Sequence, residues 1–333
     1  MPGCGVRLTR TSSRPDVVVA AGKHPDMTSA ASASPTIGDD PLTVFGVGGE
    51  PPTAPATRMR QRLGGLLVDH RGSVDIAAWA VLVDSAAGAP FVAQTPPDRG
   101  VVQASLAFAT TGVEVATEGV LTAVATLRHD SGAFGLTTVD VTAGDDLVAT
   151  VLARSARTGR VFDDALIERL TGAGASGGAR GWPVPSSLPA DAPAPPAIDP
   201  VLTGEQVVAA IVDGRIGGGP LADVLGVSPT ADGARFRPAP WMANALGSMH
   251  GGVVAAAIAQ ACSWAGQSRT GAGQGYRLAD FAVDFFRSPP VDVDELTIDT
   301  RVVRAGRRVV SLVAELRDGD TVLAQATAAV HLT

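Results

Sequence analysis

Two hydrophobic patterns alternate along this chain. From Met249 to Ala265 nearly every residue is apolar, a run too long for a strand and apolar on almost all sides, which predicts a buried helix. After it, Phe281, Val283 and Phe285 alternate with Asp280, Ala282 and Asp284, and Leu296, Ile298, Thr300 and Val302 alternate with Thr297, Asp299 and Arg301. Such period-two runs predict half-buried strands. Arg304-Ala-Gly306-Arg and Arg317-Asp-Gly319-Asp read as hairpin turns with glycine at positive φ, and Thr321–Leu332 alternates again. One apolar helix followed by an antiparallel meander predicts a sheet wrapped around that helix. The first half repeats the plan, with a helix over Asp75–Gly88 and strands over Val101–Thr111, Val113–Arg128, Ala133–Val141 and Leu147–Ser155.

The two halves align without a gap. A shift of 175 residues carries Phe134 onto Val309, Leu106 onto Phe281, Leu121 onto Leu296, Gly144 onto Gly319 and Gly72 onto Gly247. A constant shift over so many positions predicts duplication of one domain. Residues 1–57 and 171–200 are rich in Pro, Gly, Ser, Thr and Ala and lack either period. They read as a disordered tail and a linker, leaving a first domain over 58–170 and a second over 201–333.

Composition narrows the function. With 45% hydrophobic and 18% charged residues in a 333-residue chain, two cores can be built. Lys23 is the only lysine among 26 basic residues, a bias that weakens arguments from Arg or Ala frequency. A net charge of −7 disfavours nucleic acid and anionic membranes as partners. Cys4 and Cys262 cannot make a disulfide framework or a four-cysteine metal site, and the histidines show no ligand spacing, so no metal is expected. No apolar run reaches the length of a membrane span, and no secretory leader is visible, so the expected location is cytoplasmic.

The chemistry concentrates at the start of the second helix. Gly251 and Gly252 follow His250 where backbone N–H groups have no intrahelical partner and carry the positive end of the helix dipole. Without side chains, these glycines allow a carbonyl to approach and be polarised; the alternative is that they only allow tight packing. Asn244-Ala-Leu-Gly-Ser-Met-His250-Gly251-Gly252, the apolar helix and the strand Leu278–Arg287 together resemble the hotdog-fold acyl-CoA thioesterases of the PaaI type. That resemblance implies an α+β double hotdog, two antiparallel sheets each wrapping a central helix, and hydrolysis of an acyl-CoA thioester. Coenzyme A would enter only as part of the substrate, with no separate cofactor.

The family's acid lies nine positions after the motif His, and here that position is Ala259. The shift of 175 maps Ala259 onto Asp84, an acid inside the otherwise apolar first helix, and maps His250, Gly251 and Gly252 onto Asp75, Ile76 and Ala77. Each half keeps what the other lost. In dimeric relatives the helix terminus and the acid come from different subunits, so the resemblance implies one composite site: Asp84 as general base or nucleophile, the Gly251 and Gly252 amides polarising the carbonyl, and His250 beside them. Asn244 would place water, or only bond its own turn. Gln103 stands at the strand start where the family has Ser or Thr, and would support Asp84. Arg304, Arg307 and Arg308 on one hairpin would meet the coenzyme A phosphates, or only keep a sheet edge soluble. Burial should raise the Asp84 pKa and the helix terminus lower it, leaving the net direction open. The competing reading is a catalytically inactive acyl-CoA-binding or regulatory protein; self-association of the double unit is compatible with both.

Overall fold

The computed structural model describes residues 40–162 and 192–333. The chain forms α1 (Pro41–Val44), β1 (Val47–Gly49), β2 (Ala56–Leu63), α2 (Ile76–Val92), β3 (Gly100–Thr110), β4 (Gly119–Asp130), β5 (Phe134–Ala143) and β6 (Asp146–Thr158). Beyond the linker come α3 (Gly204–Val212), α4 (Pro220–Leu225), β7 (Val227–Thr230), β8 (Gly233–Phe236), α5 (Gly251–Gln267), β9 (Tyr276–Phe285), β10 (Leu296–Ala305), β11 (Val309–Asp318) and β12 (Thr321–Leu332). Among the described residues 12 strands make one antiparallel sheet in the order β1-β2-β4-β5-β6-β3-β9-β12-β11-β10-β8-β7. Helix α2 packs on the first half of this sheet, α5 on the second, and the two helices pack against each other.

The shift of 175 holds element by element. It carries α2 onto α5 and β5 onto β11 end to end. It also carries the bulge between Leu127 and His129 onto the one between Val302 and Arg304. At the middle of the sheet β3 pairs with β9, with Leu106 opposite Val283, Ala107 opposite Ala282 and Phe108 opposite Phe281. Because the shift relates Leu106 to Phe281 and Phe108 to Val283, this register is that of a two-fold axis through the Ala107–Ala282 pair. Phe108 stacks on Phe281 at 5.8 Å and on Trp79 at 5.6 Å, so the seam is closed by aromatic packing as well as by the ladder.

Several expected boundaries move. Residues 40–57 are folded: Asp40 caps α1 through its side chain, Phe45 is fully buried, and β1 pairs with β2, so the boundary at 57/58 falls inside a strand. The compositional signal failed there because Gly and Pro fill a hairpin rather than a tail. Helix α2 continues past Gly88 and Pro90 to Val92, because Phe91 is buried in its last turn beneath the Arg157 guanidinium, 4.2 Å away. Residues 113–118 are irregular, and β4 begins only at Gly119. Of the two glycine turns, Gly319 has φ of 54° but Gly306 does not adopt positive φ. Residues 1–39 of the expected 1–57 tail, the last eight residues of the expected first domain and residues 171–191 of the linker lie outside the described residues.

Candidate active site

Helix α5 begins at Gly251, capped by His250, whose Nδ1 lies 3.1 Å from the Gly252 N–H. Its first turn abuts the middle of α2. A Cβ on Gly252 would sit 2.5 Å from Val81 Cα and 2.9 Å from the Ala80 carbonyl oxygen, so only glycine permits this crossing. The close approach brings Asp84, one turn further along α2, under the α5 terminus. The Gly252 N–H donates to Asp84 Oδ2 at 2.8 Å, and His250 Nδ1 lies 3.0 Å from the same oxygen. Asp84 Oδ1 is buried and has no partner among the described residues. A Cβ on Gly251 would fall 3.0 Å from Oδ1, so the unpartnered oxygen faces the space which that missing side chain leaves. The Gly251 N–H likewise finds no acceptor among the described residues.

The two glycine amides therefore differ: Gly252 holds the carboxylate, and Gly251 is the open one. His250 Nε2 in turn meets Ser85 Oγ at 3.3 Å. Burial pushes the Asp84 carboxyl above its ordinary range, and the opposing pull of His250 and the Gly252 N–H does not cancel it. The question left open by the sequence is answered upward.

Residues 246–325 match the Thioesterase superfamily. The matched stretch covers α5 and most of the second meander, the half that supplies the helix terminus to the site but not Asp84. No curated protein sequence matches the chain. Among solved structures, a protein of unknown function with a hot dog fold from Alicyclobacillus acidocaldarius aligns with TM-score 0.52 at 13% identity, covering 88% of this chain and 97% of that one. The 12:0-ACP thioesterase from Umbellularia californica aligns with TM-score 0.50 at 10% identity, covering 84% and 94%. At such identities the likeness establishes the fold, a hotdog architecture spanning both halves.

Not every predicted residue joins this helix terminus. Asn244 Oδ1 accepts from the Leu246 N–H at 2.8 Å and the Ser248 N–H at 3.3 Å, which spends it on its own turn. The same turn recurs at Asp69, whose Oδ1 accepts from the Arg71 N–H at 2.8 Å and the Ser73 N–H at 3.1 Å. Gln103 makes no hydrogen bond to Asp84. Its Oε1 accepts from the Ser155 hydroxyl, and its Nε2 is buried without a partner among the described residues. Arg304, Arg307 and Arg308 are exposed around the β10–β11 turn, and none bonds Asp84 or His250. No three metal-ligating side chains cluster among the described residues, and no described helix is long and apolar enough to cross a membrane.

The related position across the two-fold axis is built differently. Asp75 caps α2 by accepting from the Ile76 N–H at 2.8 Å, the counterpart of the open Gly251 amide, and from the Leu278 N–H at 3.1 Å. Arg71 fills the space: it donates to Asp69 Oδ2 through Nε at 2.8 Å and to the Tyr276 carbonyl at 2.6 Å, and lies 3.8 Å over the Tyr276 ring. Ala259 stands where Asp84 would be. Sequence reasoning missed Ser85, Ser155 and this Arg71 cluster. The repeat alignment carried a signal for each, setting Ser85 against Gln260, Ser155 against Val330 and Arg71 against Leu246.

Proposed function

We propose that this protein hydrolyses an acyl thioester, with acyl-CoA as its substrate, at the single site where α5 of one repeat meets α2 of the other. The observation that carries the reading is the meeting of Asp84 with the α5 terminus, 2.8 Å at Gly252, beside an open Gly251 amide. A thioester carbonyl placed over Gly251 would point its oxygen at an N–H carrying the positive end of the helix dipole. The unpartnered Oδ1 of Asp84 faces the same space, as a base drawing a proton from water or as a nucleophile at the carbonyl carbon. Burial pushes this carboxyl upward, which makes its ionised form a stronger base than an ordinary aspartate. The match of 246–325 to a thioesterase superfamily supports the reaction class. Gln103 Nε2 remains a donor without a partner among the described residues, on the strand that follows α2, and the exposed Arg304, Arg307 and Arg308 are the candidates for phosphate contact.

The deciding experiment is thiol release from short, long and aryl CoA thioesters, run beside an acyl carrier protein thioester, by the full chain and by Asp84→Asn. Release by the natural protein and its loss in the variant support the reading. Equal release by both, or binding of acyl-CoA with no release across the panel, overturns it; the second outcome would establish the non-catalytic binding protein instead.

A further inference from the structure

Asp84, His250 and Ser85 form a continuous chain. Oδ2 of the carboxylate lies 3.0 Å from His250 Nδ1, and Nε2 of the same ring lies 3.3 Å from Ser85 Oγ. The two end members are adjacent on α2 while the imidazole comes from the other repeat. Asp84 and His250 are buried, at 7% and 9% exposure, whereas Ser85 is half-buried.

Across the two-fold axis every member differs: Ala259 for Asp84, Gln260 for Ser85 and Asp75 for His250. The counterpart helix is capped and packed without any of them, so the fold does not require the chain. Its members change together, as parts of one device would.

Two arrangements compete at Nδ1. Its lone pair can accept the Gly252 N–H, 3.1 Å away, which leaves the ring proton on Nε2 and nothing donated to Asp84. Alternatively, Nδ1 carries the proton and donates it to Asp84 Oδ2, which requires Nε2 to be an acceptor. The Ser85 hydroxyl can accept from Nε2–H or donate to a bare Nε2, and only the second lets Nδ1–H meet the Asp84 carboxylate, so the charge at Oδ2 favours the arrangement in which Ser85 donates.

We propose that Ser85 is a positioning residue for Asp84: by donating to His250 Nε2 it keeps the ring proton on Nδ1, where it donates to Oδ2 and turns the carboxylate so that Oδ1 faces Gly251. The role in turnover rests on the hydrolase reading above, while the tautomer is independent of it.

Histidine 15N NMR on the full chain reads the tautomer, and steady-state kinetics read its consequence. The natural protein is expected to show His250 protonated at Nδ1 with Nε2 bare. In Ser85→Ala the ring should redistribute toward Nε2–H, with kcat falling about tenfold and KM moving less than twofold, and Ser85→Thr should restore both. Protonation at Nε2 in the natural protein overturns the proposal, as does a Ser85→Ala protein with an unchanged His250 spectrum and unchanged kcat. If no thioester is turned over by any form, the hydrolase reading fails, and the NMR measurement still decides whether Ser85 sets the tautomer.

Discussion

The two ends of the pseudo-dimer start from the same backbone and finish as opposite environments. At one, a histidine caps the helix, glycines strip its first turn, and a buried carboxylate from the other repeat has one oxygen left without a partner. At the other, an aspartate caps the helix, Ile76 and Ala77 fill its first turn, and Arg71 pairs with two carboxylates while lying over the Tyr276 ring. The first end leaves a carboxylate oxygen without a partner, whereas at the second every oxygen of Asp69 and Asp75 is bonded and the unpartnered buried atoms are the uncharged His70 Nδ1 and Gln260 Nε2. A buried carboxylate oxygen without a partner costs stability, so one retained here, where both carboxylates of the related end are fully bonded, points to use rather than to packing. Burial pushes both Asp84 and Asp75 upward, but only Asp75 has an arginine opposing it.

The contrast breaks most sharply at Asp84. Asp84→Asn should reduce kcat by about 10²–10⁴-fold, the usual size of a lost acid–base group, as measured by thiol release. The same variant should be more stable at neutral pH. A carboxyl whose folded pKa lies above its ordinary 3.8 destabilises the fold as it ionises, so natural-protein stability falls as pH rises from about that value through the raised one. Chemical denaturation should therefore find the two proteins alike at acidic pH, with the variant ahead at pH 7; a variant less stable at pH 7 would refute the cost assigned to this carboxylate.

Next come the glycines, which should fail for different reasons. Gly251→Ala places a methyl 3.0 Å from Asp84 Oδ1, so turnover should drop by about 10²-fold or more in a protein that still folds. Gly252→Ala drives a methyl into the Val81 backbone, so loss of thermal stability should dominate. Similar melting temperatures for the two variants would contradict the assigned crossing.

At the filled end, Arg71→Leu installs the residue that the other repeat carries at Leu246. It strands Asp69 and Asp75 without their cation and should cost about 3–5 kcal/mol in denaturant titration. Turnover per folded molecule should be unchanged, since this end contributes no group to the open one. The smallest effect is expected at Asn244. Asn244→Ala should lose about 1 kcal/mol by removing the turn acceptor, and Asn244→Asp should recover it by reproducing the Asp69 turn.

Much of this molecule was legible before its structure. Period-two runs located the meander strands, and the apolar run located α5 through its cap. The alignment at 175 paired Asp84 with the vacancy at Ala259. Where glycine and proline punctuated hairpins, as over residues 40–57, composition misled, because a turn and a tail share residue types and differ only in what their neighbours bury. Asn244 shows the reverse limit: a motif position can be occupied for reasons of local backbone bonding that recur where no chemistry is offered.

The linear chain by itself determined the elements, their duplication and the split of carboxylate from helix terminus between copies, since periodicity and a constant shift are properties of order along the chain. Only the tertiary structure decided that Gly252 rather than Gly251 grips Asp84, that Ser155 and not Asp84 takes Gln103, that Ser85 reaches His250, and that Arg71 closes the opposite end. Those outcomes depend on ångström-scale distances between residues separated by up to about 205 positions, and hydrogen bonding, unlike hydrophobic period, is lost within less than an ångström of misplacement.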